Sequence, residues 1–212
     1  MRNVLHRLTG LYAIADTALL KPSGFEGAIR KALIGGTSLI QYRDKTQDKM
    51  RRGMQANILV SLCRKYSALS IINDDIALAS DSGADGVHLG ADDTAVSEAR
   101  RALPDKLIGA SCYNQLDLAE EAFTAGADYI ALGAVYPSRV KPDAVTAPVS
   151  LLKQARQIFP QPICAIGGIT STNLSEVLAT GVDMAAVISA IFSEQDIVGA
   201  TQALAGQFGS VS

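Results

Sequence analysis

The sequence predicts an α/β protein, a single (β/α)8 TIM barrel, on three observations. Eight short strand-like apolar runs, each followed by a helical pattern, occupy 212 residues, a length within the range of one such barrel. The runs are apolar throughout rather than alternating, as parallel strands covered on both faces should be. A weak repeat, Gly83-Ala84-Asp85-Gly86, Gly126-Ala127-Asp128-Tyr129 and Gly181-Val182-Asp183-Met184, falls at helix-to-strand turns, where Gly supplies a left-handed stop and Asp precedes the strand. A doubly wound open sheet is the alternative, but G-x-G-x-x-G after the first strand, its usual nucleotide-binding mark, is absent. The expected domain is 1–212, with 1–9 as a short extension before the first strand.

Leu11 to Ala15 forms the first run, closed by Asp16. Phe25, Ile29, Ala32 and Leu33 then share one helical face until Gly35-Gly36 ends it. Thr37 to Tyr42 is the second strand. Thr46 to Tyr66 is a longer helix, with Met50, Met54, Ile58, Leu62 and Tyr66 at helical spacing. Leu69 to Asn73 and Gly86 to Leu89 flank a short helix closed at Gly83, and the helix Thr94 to Leu103 stops at Pro104. Leu107 to Ser111, Tyr129 to Leu132, Ile163 to Ile166 and Met184 to Ile188 complete the strands.

The composition, 48% hydrophobic and 19% charged, supports a full core. A net charge of -2, from 19 basic and 21 acidic residues without a polybasic block, argues against nucleic-acid or anionic-membrane partners and for small-molecule substrates. Cys63, Cys112 and Cys164 are odd in number and widely spaced, which fits neither a disulfide framework nor a zinc site and favours the reducing cytoplasm. Residues 1–9 lack the continuous apolar segment of a signal peptide, and no apolar run approaches membrane-spanning length.

In a barrel the chemistry belongs at the C-terminal ends of the strands. Asp74 and Asp93 follow the third and fourth strands, so parallel topology lets them meet, and paired carboxylates there suit Mg²⁺ that keeps part of its water. The alternative is that both merely cap the helices after them. Gln41-Tyr42-Arg43-Asp44-Lys45 leaves the second strand with Gln41, Arg43 and Lys45 on one side, an amide and two cations suited to phosphate oxygens and a polar ring edge; a solvated strand end is the plain alternative. Asn73 adds an amide and Ser111 a hydroxyl at the mouth. His88 reads as an interior histidine, since no second histidine stands at ligand spacing, and a Cys112/His88 nucleophilic pair lacks a third orienting group. The connection Gly133 to Ala147, with Ser138, Arg139 and Lys141 between two prolines, has the length of a lid. Gly167-Gly168 and Ile188-Ser189 close the last two strands with small residues whose backbone N–H groups could approach a phosphate.

Gln41-x-Arg43-x-Lys45, Asn73-Asp74, His88-Leu89-Gly90-x-x-Asp93, Gly109-x-Ser111, Pro137-Ser138-x-x-Lys141, Ile166-Gly167-Gly168-Ile169 and Ile188-Ser189 together resemble the thiamine-phosphate synthase family, in order and nearly in spacing, over about residues 11 to 192. The resemblance implies a barrel that joins a hydroxymethylpyrimidine diphosphate to a (carboxy)thiazole phosphate and releases pyrophosphate by a dissociative displacement. It implies that Gln41, Tyr42, Arg43, Asp44, Lys45 and Asn73 form the pyrimidine diphosphate site and that Asp74 and Asp93 bind Mg²⁺. It further implies that Ser111 lies by the pyrimidine, that Lys141 contacts the diphosphate, and that Ser138, Arg139 and Val140 line the thiazole site. Gly168, Ile188 and Ser189 would grip the thiazole phosphate. Lys141, Arg43 and Ser111 are the expected catalytic groups.

The chain departs from the family's habit at Ala91 (often Gln), Asp75 (often Arg), Val140 (a second Thr), Ser138 (usually Thr) and Gly133-Ala134 (usually Gly-Pro). Two rivals share the fold. A thiazole tautomerase needs neither diphosphate nor metal and relies on a histidine just after the position of Ser111, where this chain has Cys112-Tyr113. A non-catalytic phosphate-binding barrel would need the glycine loops but neither Asp74 nor Asp93.

Overall fold

Eight strands, each short enough to be spanned by one helix packed behind it, pair in parallel and in sequence order until the eighth returns to the first. They are β1 (Gly10–Asp16), β2 (Leu39–Arg43), β3 (Leu69–Asn73), β4 (Gly86–Leu89), β5 (Leu107–Tyr113), β6 (Tyr129–Leu132), β7 (Ile163–Ile166) and β8 (Met184–Val187). The barrel is closed, β1 to β8 in order. The computed structural model describes residues 5–90, 93–137 and 146–209. Among these the helices are α1 (Phe25–Ile34), α2 (Lys49–Lys65), α3 (Ile76–Asp81), α4 (Val96–Ala102), α5 (Leu116–Thr124), α6 (Val149–Ile158), α7 (Leu174–Leu178), α8 (Ser189–Phe192) and α9 (Ile197–Ala205). None is long and apolar enough to cross a membrane. Small end shifts separate these bounds from the sequence reading. The second strand begins at Leu39 because Thr37 turns its hydroxyl back onto the Ala32 carbonyl at the end of α1.

The period-two geometry of the strands divides the apolar residues into two cores. Ala13, Ile40, Tyr42, Ile72, Val87, Ile108, Ile130, Ala165 and Val187 point outward and pack under the helices. Tyr12, Ile14, Leu39, Leu69, Ile71, Leu107, Tyr129, Cys164 and Met184 fill the barrel, and Leu8 closes its lower end. The helical face on α2 is a correction to the sequence reading. The buried residues are Gln55, Ala56, Leu59, Val60, Leu62 and Cys63, with Ile58 and Tyr66 partly buried against the core as expected, whereas Met50 and Met54 stand 82% and 56% exposed. Small residues at 56 and 63 let the helix approach the sheet, which two methionines on that face would prevent.

The Gly-x-Asp repeat is a staple at the lower rim. Asp85 accepts from the Ser70 N–H (2.8 Å), Asp128 from the Ile108 N–H (2.8 Å) and Asp183 from the Ile163 N–H (2.8 Å), so each carboxylate ties its strand to a neighbour. Arg100 and Arg156 pair with Asp128 and Asp183, and Arg64 donates to the Gly83 carbonyl. The three glycines have φ of 68°, 103° and 85°, a left-handed backbone in which a side chain would be strained.

Candidate active site

The upper rim collects polar side chains from β1 to β5. Gln41 and Arg43 alternate inward along β2, while Tyr42 and Asp44 do not. The Tyr42 hydroxyl shares its one proton between Asp44 (3.1 Å) and Gln55 (3.0 Å) under α2, and its ring packs edge-on against Phe25. Asp44 accepts from the Thr46 N–H (2.8 Å) and from Arg51 (3.1 Å). Burial alone would raise its carboxyl, but the Thr46 and Arg51 donors hold it below the usual range. Their side chains therefore shape the loop from behind, and the inward spacing of 41, 43 and 45 explains why the neighbours face away.

Asp16, which the sequence reading treated only as the end of a strand, holds Arg43. One carboxylate oxygen takes the guanidinium and the other accepts from the Ala18 N–H at 2.9 Å. Asp16 is 5% exposed, so Arg43 is aimed by a partner that is itself immobilised. Its signal was available as an acid two residues beyond inward-facing Ile14.

Asp74 and Asp93 meet. Their carboxyls lie within hydrogen-bonding reach of each other; Lys45 and Asn73 donate to Asp74, and the Gly90 N–H donates to Asp93 at 2.7 Å. Burial first, and Asp93 second, push the Asp74 carboxyl above its ordinary value. Asp93, which burial would also raise, is instead held below because Asp74 shares its proton and Gly90 and Lys45 favour the charged form. The capping alternative fails for both. Asp75, not Asp74, caps α3 by accepting from the Leu78 N–H (2.9 Å) and pairs with Arg52; α4 starts after Ala95 with no side-chain cap. Asp74 also adopts φ of 63°, a conformation Asp tolerates better than most residues, while its N–H is tied to the His88 carbonyl at 2.9 Å.

Two converging carboxylates with one neighbouring ammonium are what a divalent cation relieves. Among the described residues no third His, Cys, Asp or Glu joins them. The donor set therefore fits a hard ion that takes its remaining oxygens from water and ligand, which is the habit of Mg²⁺.

Ser111 lies across the mouth on β5, half-buried, with Oγ 3.0 Å from His88 Nε2; His88 Nδ1 is 3.1 Å from the Tyr129 hydroxyl. His88 is interior, as its neighbours Val87 and Leu89 imply, and burial lowers its pKa to about 4. Cys112 faces the helix layer and its thiol donates to the Ala110 carbonyl, with burial raising its pKa to about 12, so it forms no pair with His88. Sequence reasoning missed Tyr12 and Tyr129. Their signal was a polar-tipped aromatic at an inward position of a buried strand, which needs a partner for its hydroxyl.

On the far side, β7 and β8 end side by side, and Ile166 and Ile188 lie over the inner core. Gly167 and Gly168 have φ of 103° and 64°; a Cβ on Gly168 would stand 2.6 Å from the Pro137 carbonyl oxygen. Helix α8 begins at Ser189, so the N–H groups of Ser189 and Ala190 precede its first internal bonds. The stems of the long connection are pinned to this edge: Val135 donates to Ile166 (3.0 Å), Tyr136 to Gly167 (3.0 Å) and Ala147 to Ala134 (2.7 Å). Ser138, Arg139, Val140 and Lys141 lie outside the described residues, as does Ala91.

A family model described as thiamine monophosphate synthase matches residues 11–191. A thiamine-phosphate synthase of Nitrosococcus oceani is 48% identical over 204 residues, covering 96% of this chain and 94% of that one. Another, of Thioalkalivibrio sulfidiphilus, is 46% identical over 203 residues, covering 95% and 96%. Among solved structures, a thiamine phosphate pyrophosphorylase from Pyrococcus furiosus superposes with a TM-score of 0.90 at 37% identity, covering 97% of this chain and 98% of that one. With the closed barrel and the acid-and-base cluster at its mouth, these matches lead to one assignment: the chain belongs to the thiamine monophosphate synthase family.

Proposed function

We propose that this protein is a Mg²⁺-dependent thiamine-phosphate synthase, which couples a hydroxymethylpyrimidine diphosphate to a (carboxy)thiazole phosphate and releases pyrophosphate. The observation that carries the reading is the meeting of Asp74 and Asp93 beside Lys45 and Asn73, with neither carboxylate spent on capping a helix. A tautomerase or a passive phosphate binder gives that pair nothing to do.

In this reading Asp74 and Asp93 hold the ion, whose charge when bound offsets that of the leaving diphosphate. Arg43 and Lys45, with Lys141 from the long connection, draw the diphosphate oxygens to one side of the mouth. As the carbon–oxygen bond lengthens, negative charge grows on those oxygens, and fixed cations in a partly dry site stabilise it more than water would. The pyrimidine methylene becomes cationic, the electron-rich aminopyrimidine shares the charge, and the thiazole nitrogen supplies the electron pair for the new carbon–nitrogen bond. No protein nucleophile is needed. Gln41, Asn73 and Ser111 fix the ring, while backbone groups of Gly168, Ile188 and Ser189 and the segment Ser138, Arg139 and Val140 hold the thiazole phosphate in line; such positioning supplies much of the remaining acceleration.

The test is pyrophosphate release from the two substrates with and without Mg²⁺. Release only with both substrates and the ion is expected, and Asp93→Ala should remove most turnover in a folded protein. Full activity in excess chelator refutes the metal role. Lys141→Ala should lower turnover more than it weakens thiazole phosphate binding; a pure binding defect moves that lysine to the other substrate.

A further inference from the structure

A line of five polar side chains crosses the barrel beneath the mouth. Gln41 Nε2 donates to the Tyr12 hydroxyl at 2.8 Å, the Tyr12 and Tyr129 hydroxyls are 3.0 Å apart, Tyr129 lies 3.1 Å from His88 Nδ1, and His88 Nε2 lies 3.0 Å from Ser111 Oγ. Tyr12, Tyr129 and His88 are buried and make no other side-chain hydrogen bond among the described residues. Gly109 makes room for the crossing: a Cβ there would stand 2.2 Å from the Tyr129 ring and 2.5 Å from His88 Nδ1.

The line has a direction. Each phenol carries one proton, and burial holds both phenols protonated by raising them above their usual range. Tyr12 already accepts from the Gln41 amide, so its own proton goes to the Tyr129 oxygen, its other hydrogen-bond partner among the described residues. The Tyr129 proton then goes to His88 Nδ1. A neutral imidazole that accepts at Nδ1 carries its hydrogen on Nε2, and that hydrogen points at Ser111 Oγ. With the Gln41 amide presenting Nε2, running the line backwards would aim two donors at Tyr12 and leave its own proton without an acceptor in a buried place, which native interiors avoid.

We infer that Tyr12, Tyr129 and His88 are positioning residues that link Gln41 to Ser111 and lock His88 as its Nε2–H tautomer, so that Ser111 receives a hydrogen bond from below and presents its own proton to the substrate. The inference rests on the proposed function only in placing substrate against Ser111. The serine then acts as a donor, to a ring nitrogen or an ester oxygen, and its direction is set by a tyrosine two side chains away.

The test is the tautomer of His88 in substrate-free protein, read from long-range ¹H–¹⁵N correlation spectra. His88 and His6 are the two histidines of the chain, and His6→Gln assigns the signals. Wild type should show Nε2–H. Tyr129→Phe should abolish that preference, whereas Tyr12→Phe, which deletes the same atom one step further from the ring, should only weaken it, because Tyr129 still donates to Nδ1. An Nδ1–H tautomer in wild type, or equal effects of the two variants, overturns the directed line, and the wild-type spectrum decides even if a variant fails to fold. With turnover as readout, Tyr129→Phe should lower kcat about tenfold or more with KM changed less than about threefold, as expected for a misdirected donor; a raised KM with unchanged kcat overturns the positioning role. Absence of turnover in wild type would refute the proposed function and leave the tautomer result standing.

Discussion

Arg43 on β2 is bound by Asp16 on the adjacent β1, and the acid is nearly buried while the guanidinium stays about a quarter exposed to the mouth. The pair orients a cation toward the space where the diphosphate is proposed to lie. A charge-assisted bond of this kind is worth about 1.5–3 kcal/mol when its partner is fixed. Asp16→Asn keeps the acceptor for the Ala18 N–H but gives up the charge. Pyrophosphate binding by calorimetry should weaken about tenfold, the equivalent of ~1.4 kcal/mol; tighter binding would show that Asp16 competes with the ligand.

Adjacent aspartates divide their labour. Asp75 caps α3 and pairs with Arg52, whereas Asp74 faces Asp93. Asp75→Ala should cost about 1 kcal/mol of stability in urea titrations, the usual value of a lost N-cap. Asp74→Asn, which tolerates the left-handed backbone and removes a like-charge contact, should leave the urea midpoint unchanged or slightly raised while lowering turnover by about a hundredfold.

Gly109 has a spatial duty rather than a conformational one, since its neighbours are the Tyr129 ring and His88. Gly109→Ala should push those rings apart and destabilise the protein by about 1–3 kcal/mol, as overpacking does. Thermal melts check the size, and the near-ultraviolet tyrosine signal should change with it.

At the lower rim Asp128 serves both the Ile108 N–H and Arg100. Asp128→Ala leaves a strand-end donor and a cation unpaired, a loss of about 2 kcal/mol. Urea midpoints should fall while KM for both substrates stays constant, because the staple lies at the end opposite the mouth.

His88 makes stability depend on pH. Its folded pKa, about 4, is below the unfolded value near 6.5, so the unfolded chain takes up the proton first as pH falls. The sign is therefore a loss of stability on acidification, beginning near pH 6.5 and complete near pH 4, with no contribution above pH 7. Between pH 7 and 5 the loss should be about 2 kcal/mol; urea unfolding at the two values, before most carboxylates titrate, measures it.

The barrel was legible because strand runs, glycine stops and Asp corners are local signals that a linear reading can collect. The placing of Gln41, Arg43, Lys45, Asn73, Asp74, Asp93 and Ser111 at one end of the barrel was legible for the same reason, since each sits at or just past a strand end. Tyr12 and Tyr129 were not, because 117 residues separate them and only closure of the barrel brings their hydroxyls together. Asp16 could be read as inward-facing from its spacing to Ile14, but its pairing with Arg43 could not, the arginine lying on another strand. On α2 Ile58, Leu62 and Tyr66 of the expected face do meet the core, but Met50 and Met54 do not and residues 55, 56, 59, 60 and 63 pack there, since depth of approach depends on side-chain size and periodicity alone does not measure it.

Leu8 and the ring of Leu39, Leu69, Leu107 and Met184 give the cylinder a sealed floor. Among the described residues, whatever reaches Ser111 thus comes from the side of the mouth. In the proposed reaction two substrates would share that vestibule, and the one seated deeper could not enter past the other.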